Sequence, residues 1–357
     1  MTILLFLVGL ALLILGAELL VRGASRLSLS LGIAPLVVGL TVVSFGTSAP
    51  ELAISIKAAL DGQTDLALGN VVGSNIFNIL FILGLSALVA PLVVDRQLVR
   101  QEVPILVGLC LLVGWMALDL EISFGDGLVL VGLLIAYTGL LYYIGRNSAP
   151  SAVSDPLVTG ADSPWLSKLW VQLLLMVVGL VMLVFGSRWL VQSATVFATM
   201  LGVSPLVIGL TIVSAGTSLP EVATSVIAAA RGEREIAVGN VMGSCIFNLV
   251  CVLGISALVA PNGLSVPVAL LNFDLPVMFA VSLACLPVLF TGHLIARWEG
   301  ALFLAYYVFY TTYLVLWAQD HDSLDEFTWV MRTVVIPLTA ITLSVVAWRE
   351  LRQRPRA

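Results

Sequence analysis

Charge is what this sequence has least of. Only 10% of its 357 residues are Asp, Glu, Lys or Arg, 60% are hydrophobic, and the mean hydropathy is +1.11. A soluble domain is nearer one quarter charged, so a water-soluble globular protein is excluded and an integral membrane protein is implied. Metal-binding side chains are scarce too. The two histidines, His293 and His321, share no motif, and the four cysteines (Cys110, Cys245, Cys251, Cys285) lie in apolar segments without metal-type spacing. They read as small core residues, not as zinc ligands or a redox pair. Long polar stretches are also missing. The longest, 146–167, is linker-sized, so there is no room for a soluble domain and no segment suited to nucleic acid. The first apolar run has no basic residues before it and exceeds a signal-peptide core, so it is expected to be retained.

What is present is a series of apolar runs near the ~20 residues that a spanning helix needs. Eleven candidates stand at 2–24, 35–60, 65–90, 102–119, 126–144, 169–198, 205–230, 235–260, 273–292, 298–317 and 329–348. With the N-terminus placed outside, thirteen of the sixteen Lys and Arg fall on the cytoplasmic side, leaving Lys57, Arg188 and Arg332 outside. That asymmetry supports the orientation, with a cytoplasmic C-terminus, and the span count as well.

The sequence repeats itself. PLVVGLTVVSFGTSAPE from Pro35 returns as PLVIGLTIVSAGTSLPE from Pro205, and LGNVVGSNIFN returns as VGNVMGSCIFN. Residues 35–91 and 205–261 agree at 35 of 57 positions at a constant offset of 170. Further on, Asp126-Gly127 resembles Glu299-Gly300, which implies about three extra residues in the second copy. Five spans per copy is an odd number, so the second copy enters the membrane inverted, the design of many secondary transporters. The expected fold is an all-α polytopic membrane protein of two inverted five-helix repeats with broken central helices, plus one extra C-terminal helix. The expected division is 1–145 (first repeat), 146–168 (cytoplasmic linker), 169–318 (second repeat) and 319–357 (outer loop, eleventh helix and basic tail).

Each copy sets one glutamate near the middle of a span. Glu51 and Glu221 would each cost roughly 2.5–3.5 kcal/mol there on insertion scales, a cost that calls for a cation or a proton. Ser44, Thr47, Ser48 and Glu51 share a helix face, as do Ser214, Thr217, Ser218 and Glu221. Pro50 and Pro220 lack the N–H that would hold the carbonyl four residues back, and such backbone is tolerated at membrane depth where it lines a polar cavity. Asn70, Ser74 and Asn78, and their counterparts Asn240, Ser244 and Asn248, add a second polar face at intervals of four. Carboxylates, hydroxyls, amides and freed carbonyls are hard oxygen ligands, suited to Na⁺, Ca²⁺ or Mg²⁺.

Other features read more plainly. A Gly-Thr-Ser-x-Pro stretch alone could be a structural kink, and the inner Ser and Asn could simply bond helix to helix. Gly69 with Gly73, and Gly239 with Gly243, read as packing stripes. Glu18 and Arg22 read as a local i,i+4 ion pair, and Arg188 occupies the place of Glu18 in the second copy. An ion channel is a competing use of broken helices with central carboxylates. An enzyme is disfavoured, because no nucleophile–base pair recurs with the repeat.

At GTSAPE with GNVVGSNIFN, and GTSLPE with GNVMGSCIFN, the sequence resembles the calcium/cation antiporter superfamily, and most closely its prokaryotic sodium/calcium exchangers. The resemblance covers both repeats. It implies alternating access across the cell (inner) membrane, with spans two, three, seven and eight holding the ions while one and six slide over them. Transported Ca²⁺ and Na⁺ are then the partners, with the lipid bilayer, no cofactor, and a chain that works as a monomer. By motif position, Glu51 and Glu221 would serve both ions. Thr47 and Thr217 would offer carbonyls to Ca²⁺. Ser48, Ser218, Ser74 and Ser244 would serve Na⁺ with the carbonyls of Ser44 and Ser214, and Asn78 and Asn248 would complete the cluster. Potassium-dependent members carry Asp where Asn248 stands, so potassium coupling is disfavoured, and proton/calcium exchange is the alternative. Cys245 in place of Asn75 reads as a departure at a peripheral position.

Overall fold

The structure is a computed structural model in which residues 2–147, 168–201, 212, 214–290 and 293–353 are described. Among them, eight helices are long and apolar enough to cross a bilayer, and one bent pair makes a ninth. In chain order these are α1 (Thr2–Leu31), the bent α2 (Pro35–Thr47 and Ala49–Leu60), α3 (Thr64–Val89), α4 (Leu98–Asp119), α5 (Phe124–Ile144), α6 (Leu169–Met200), α8 (Arg234–Val259), α9 (Leu270–Leu289) and α10 (Arg297–Ala318). Helix α7 lies between α6 and α8 and is described over Ser214–Gly216 and Leu219–Ala230. The expected eleventh span is a helix, α11, running from Leu324–Val330 through a π turn into Ile336–Gln353. It is not among the nine, and it packs on the outside of α9 and α10. The linker expected at 146–168 falls, apart from its ends, outside the described residues.

The chain reads as two inverted copies, and four two-residue strands make the inversion visible. Strand β1 (Leu92–Val93) follows α3, and β2 (Glu121–Ile122) precedes α5; β3 (Leu264–Ser265) and β4 (Leu294–Ile295) are their counterparts. Pairing is antiparallel between copies, β1 with β4 and β2 with β3. Each ribbon therefore joins a connection of one copy to a different connection of the other, one ribbon on each face. The β1–β4 face also carries Arg96, Arg231 and Arg297, and is called the basic face below.

Helices α1 and α6 lie against each other along most of their length. A Cβ on Gly16 would stand 2.8 Å from the Gly179 carbonyl oxygen, and one on Gly179 would stand 2.7 Å from that of Gly16. Gly9 and Gly186 repeat the contact one heptad away, at 3.0 and 2.8 Å. Two backbones this close leave room for hydrogen only, the small-residue packing that membrane helices use. The Gly239/Gly243 stripe works in the same way, with α8 against the first half of α2: a Cβ on Gly239 would stand 2.8 Å from the Leu36 carbonyl. The counterpart of that contact, at Gly69 and Gly73, would involve 205–213, which lies almost wholly outside the described residues.

The three extra residues inferred for the second copy are also seen in the packing. Gly127 of α5 meets Gly254 of α8, and Gly300 of α10 meets Gly84 of α3. The buried pair Glu102–Tyr137 (Tyr137 OH donating, 2.7 Å) and the half-buried pair Asp274–Tyr310 (Tyr310 OH donating, 2.8 Å) are counterparts too, at offsets of 172 and 173.

Candidate cation site at the pseudo-two-fold axis

The centre is built from two half-helix starts. Ser48 departs from helical dihedrals (φ −81°, ψ 5°), and α2 bends there by 46°. Pro50 then occupies the first turn of the following half-helix, where its missing N–H costs nothing. Ser218 (φ −90°, ψ 9°) and Pro220 do the same in α7. Glu51 and Glu221 thus stand in the first turn of their half-helices, at the positive end of the helix dipole. Proline reads in the sequence as a breaker that frees carbonyls. In the structure it also starts the helix that carries the carboxylate.

The two carboxylates are 1% exposed each and are held across the axis by the other copy's serine. Ser218 Oγ donates to Glu51 Oε1 (2.9 Å), and Ser48 Oγ donates to Glu221 Oε1 (3.2 Å). Ser218 Oγ also lies 3.3 Å from Ser74 Oγ. The threonines cross over in the same way. Thr47 Oγ1 donates to Asn240 Oδ1 (3.1 Å), and Thr217 Oγ1 to Asn70 Oδ1 (3.5 Å). Every one of these bonds joins one copy to the other, so neither repeat could form the site alone.

Five buried oxygens here have no hydrogen-bond partner: Glu51 Oε2, Glu221 Oε2, Asn78 Oδ1, Asn248 Oδ1 and Ser244 Oγ. Buried polar atoms are almost always paired, and unpaired oxygens on the two half-helices and on the α3 and α8 segments packed against them suit a cation. Asn78 and Asn248 each open a π-helical segment, Asn78–Leu83 and Asn248–Val252, a distortion frequent at functional sites. Among the described residues no group of three or more His, Cys, Asp or Glu occurs, so the site carries two acids and otherwise neutral oxygens.

Of the sequence-derived set, hydrogen bonds join Glu51, Glu221, Ser48, Ser218 and Ser74 directly and tie in Thr47 and Thr217 through Asn240 and Asn70, while Ser244, Asn78 and Asn248 are buried on segments packed against the two half-helices. Ser44 is different. Its hydroxyl turns toward α8, donating to the Gly39 carbonyl (2.6 Å) and lying 3.1 Å from that of Asn240, while its own carbonyl accepts Ser48 N–H (2.9 Å) and Thr47 Oγ1 (3.3 Å). The side chain of Ser214 lies outside the described residues. Asn70 and Asn240 do more than continue a polar stripe. Asn70 Nδ2 donates to the Glu51 carbonyl (3.2 Å) and to Ser55 Oγ (2.9 Å), and Asn240 Nδ2 donates to Ser225 Oγ (2.9 Å). Ser55 and Ser225, four residues past each glutamate, could have been found from the offset of 170.

The peripheral reading of Asn75 and Cys245 is corrected. Both are fully buried on the axis, where Asn75 Nδ2 donates to the Cys245 carbonyl (3.2 Å) and Cys245 Sγ to that of Asn75 (3.9 Å). Asn248 Nδ2 donates to Asn75 Oδ1 (3.1 Å). The one non-identity in GSNIFN/GSCIFN is thus a break in the symmetry of the centre itself. Glu18 pairs with Arg22 as expected, and also with Arg231 of α7, a contact the sequence did not suggest.

Known proteins resemble this chain in sequence and in fold. The chain matches the family described as sodium/calcium exchanger protein over residues 1–143 and 171–316. It is 40% identical over 281 residues to the inner membrane protein YrbG of Escherichia coli, covering 78% of this chain and 86% of that one. It is 34% identical over 339 residues to the sodium/calcium exchanger MaX1 of Methanosarcina acetivorans, covering 85% and 96%. A solved structure of the sodium-calcium exchanger NCX_Mj, soaked with Na⁺ and Ca²⁺, superposes with a TM-score of 0.73 at 32% identity, covering 86% of this chain and 96% of that one. With both repeats matched in sequence and in fold, the chain belongs to the sodium/calcium exchanger family.

Proposed function

We propose that this protein is a secondary antiporter that exchanges Na⁺ for Ca²⁺ at the Glu51–Glu221 centre by alternating access. The observation that carries the reading is the set of five unpartnered buried oxygens, two of them carboxylate. Two carboxylates balance one Ca²⁺, and the surrounding hydroxyl and amide oxygens supply the larger coordination number that Ca²⁺ takes. Na⁺ uses the same kind of oxygen. Because both ions need Glu51 and Glu221, they compete, and competition at one site is what couples their movements. Glu51, Glu221 and the carbonyls of Thr47 and Thr217 would face Ca²⁺. Ser48, Ser218, Ser74 and Ser244, with the carbonyls of Ser44 and Ser214, would face Na⁺, and Asn78 and Asn248 would close the cluster. An amide at Asn248 rather than an acid argues against potassium coupling.

On this reading each half of the chain, 1–145 and 169–318, is one arm of the exchanger. The basic face is cytoplasmic in the cell membrane, the N-terminus is outside, and one chain suffices. The test is ⁴⁵Ca²⁺ uptake by proteoliposomes with Na⁺, K⁺ and H⁺ gradients imposed one at a time. Uptake driven by an outward Na⁺ gradient alone is expected. Uptake driven by H⁺ and indifferent to Na⁺ would replace the reading with proton/calcium exchange, and flux indifferent to any opposing gradient would make the protein a channel.

A further inference from the structure

The ion pairs flanking α1 have a counterpart that the structure leaves apart. Arg231 ends the second half of α7 and grips Glu18 of α1 with two nitrogens, Nη2 to Oε1 at 2.6 Å and Nε to Oε2 at 2.9 Å. Ser25 of α1 donates to Glu233, just beyond Arg231. The residues that stand 170 positions away are Arg188 for Glu18 and Asp61 for Arg231. The charges are exchanged: acid on α1 and base on the α7–α8 turn in one place, base on α6 and acid on the α2–α3 turn in the other. Because the copies are inverted, the first pair lies on the basic face and the second on the opposite face.

Only the first pair is formed. Arg188 and Asp61 are both exposed, and no ion pair joins them among the described residues. The packing around them differs in the same sense. Helix α1 lies along Leu219–Ala230, whereas α6 makes no comparable contact with Ala49–Leu60. Thr224, in the covered half-helix, is fully buried, while its counterpart Ile54 is 38% exposed. Helices α1 and α6 are locked to each other through Gly9, Gly16, Gly179 and Gly186, so they move as one body. A shift that brings α6 onto Ala49–Leu60 must draw α1 away from Leu219–Ala230.

We infer that Glu18–Arg231 and Arg188–Asp61 are alternate latches: each ion pair closes one face, and only one can be formed at a time. The four are positioning residues, since none touches the central oxygens. Charge exchange between the copies keeps each pair opposite in sign. The inference rests on the alternating-access reading above, yet its test needs no transport.

The test is cross-linking in full-length protein whose native cysteines are replaced and whose linker carries a protease site. One variant holds Glu18→Cys with Arg231→Cys, the other Asp61→Cys with Arg188→Cys. Each pair bridges the two halves, so a cross-link keeps them together after cleavage. Across Na⁺, Ca²⁺ and ion-free buffers, the yields of the two pairs are expected to move in opposite directions. Yields that rise and fall together, or an Asp61–Arg188 cross-link that forms in no buffer, overturn the proposal. The second readout is labelling of Ile54→Cys by a membrane-impermeant maleimide. Glu18→Gln is expected to lower its rate and Asp61→Asn to raise it, each ~2–5-fold, the scale an exposed ion pair supports. The exchanged pair Glu18→Arg with Arg231→Glu should restore the parent rate. Shifts of the same sign in the two single variants, or no recovery in the exchange, would refute it. If Na⁺-driven flux fails while the cross-links alternate, the latch stands and the ion assignment falls.

Discussion

Helices α3 and α8 are the most buried spans among the described residues, with 78% and 89% of their apolar stretch inside the molecule, while the figure for α1 and α6 is 28% each. Yet α1 and α6 are the more hydrophobic. In water the order would be reversed. In a bilayer the lipid already satisfies Leu and Val, so burial is reserved for what lipid cannot satisfy: Asn70, Ser74, Asn75 and Asn78 on α3, and Asn240, Ser244 and Asn248 on α8. The molecule thus divides into a polar core held by bonds between the copies and an apolar flank held by close backbone contact. The predictions below act on one side of that division or the other.

The largest effect is expected at the core. Glu51→Gln and Glu221→Gln keep shape and hydrogen bonding but remove charge, and each should lower Na⁺-driven Ca²⁺ flux by about 100-fold or more, since changes outside the first ligand shell alone cost roughly 10–100-fold. The protein should still purify as a monodisperse species, because a neutral amide is easier to keep in a membrane than a carboxylate. Equal losses in the two variants would confirm that the copies share the load, and full flux in both would remove the site.

Next in size are the residues that hold the broken turns. Asn70→Ala would take the amide donor from the Glu51 carbonyl and remove one acceptor of Thr217 Oγ1, and Asn240→Ala would remove one acceptor of Thr47 Oγ1. Each should weaken apparent Ca²⁺ affinity about tenfold or more, within the range for residues that orient ligands, as read from the Ca²⁺ dependence of uptake. Cys245→Asn sharpens the comparison from the other side. It would restore the symmetry of the axis but overfill a fully buried position, and a cost of about 1–3 kcal/mol is expected from overpacking, measured by thermal unfolding in detergent.

Much of this core was legible in the sequence, because identity at a fixed offset exposes whatever both copies keep. Glu51/Glu221, Ser48/Ser218 and Asn78/Asn248 were found in that way, and the structure brings them together. Three kinds of feature escaped it. Asn75 and Cys245 differ between the copies, so a search for sameness set aside the pair that sits on the axis. Glu102/Asp274 and Tyr137/Tyr310 are counterparts hidden by a change of offset within the second copy. Glu18/Arg188 and Asp61/Arg231 are related by opposite charge, which an identity count records only as mismatch. The π turns that begin at Asn78 and Asn248 leave no mark in local composition at all, since they depend on how α3 and α8 pack.

The smallest effect is expected on the flank, and there the comparison can be made within two neighbouring residues. Gly16 faces α6 with no space for a side chain, whereas Leu15, next to it, is 54% exposed. Gly16→Leu would drive a side chain into the Gly179 carbonyl and part the two helices, at about 1–3 kcal/mol. Leu15→Ala should change stability by less than about 0.5 kcal/mol, as surface substitutions usually do. Thermal unfolding in detergent measures both. A larger loss at Leu15 than at Gly16 would mean that apolar area, not close backbone approach, holds α1 to α6. If the expected order is found, Gly16→Leu should also slow exchange without altering Ca²⁺ affinity, because the glycine contact joins the two helices that the proposed alternating access would move and touches none of the central oxygens.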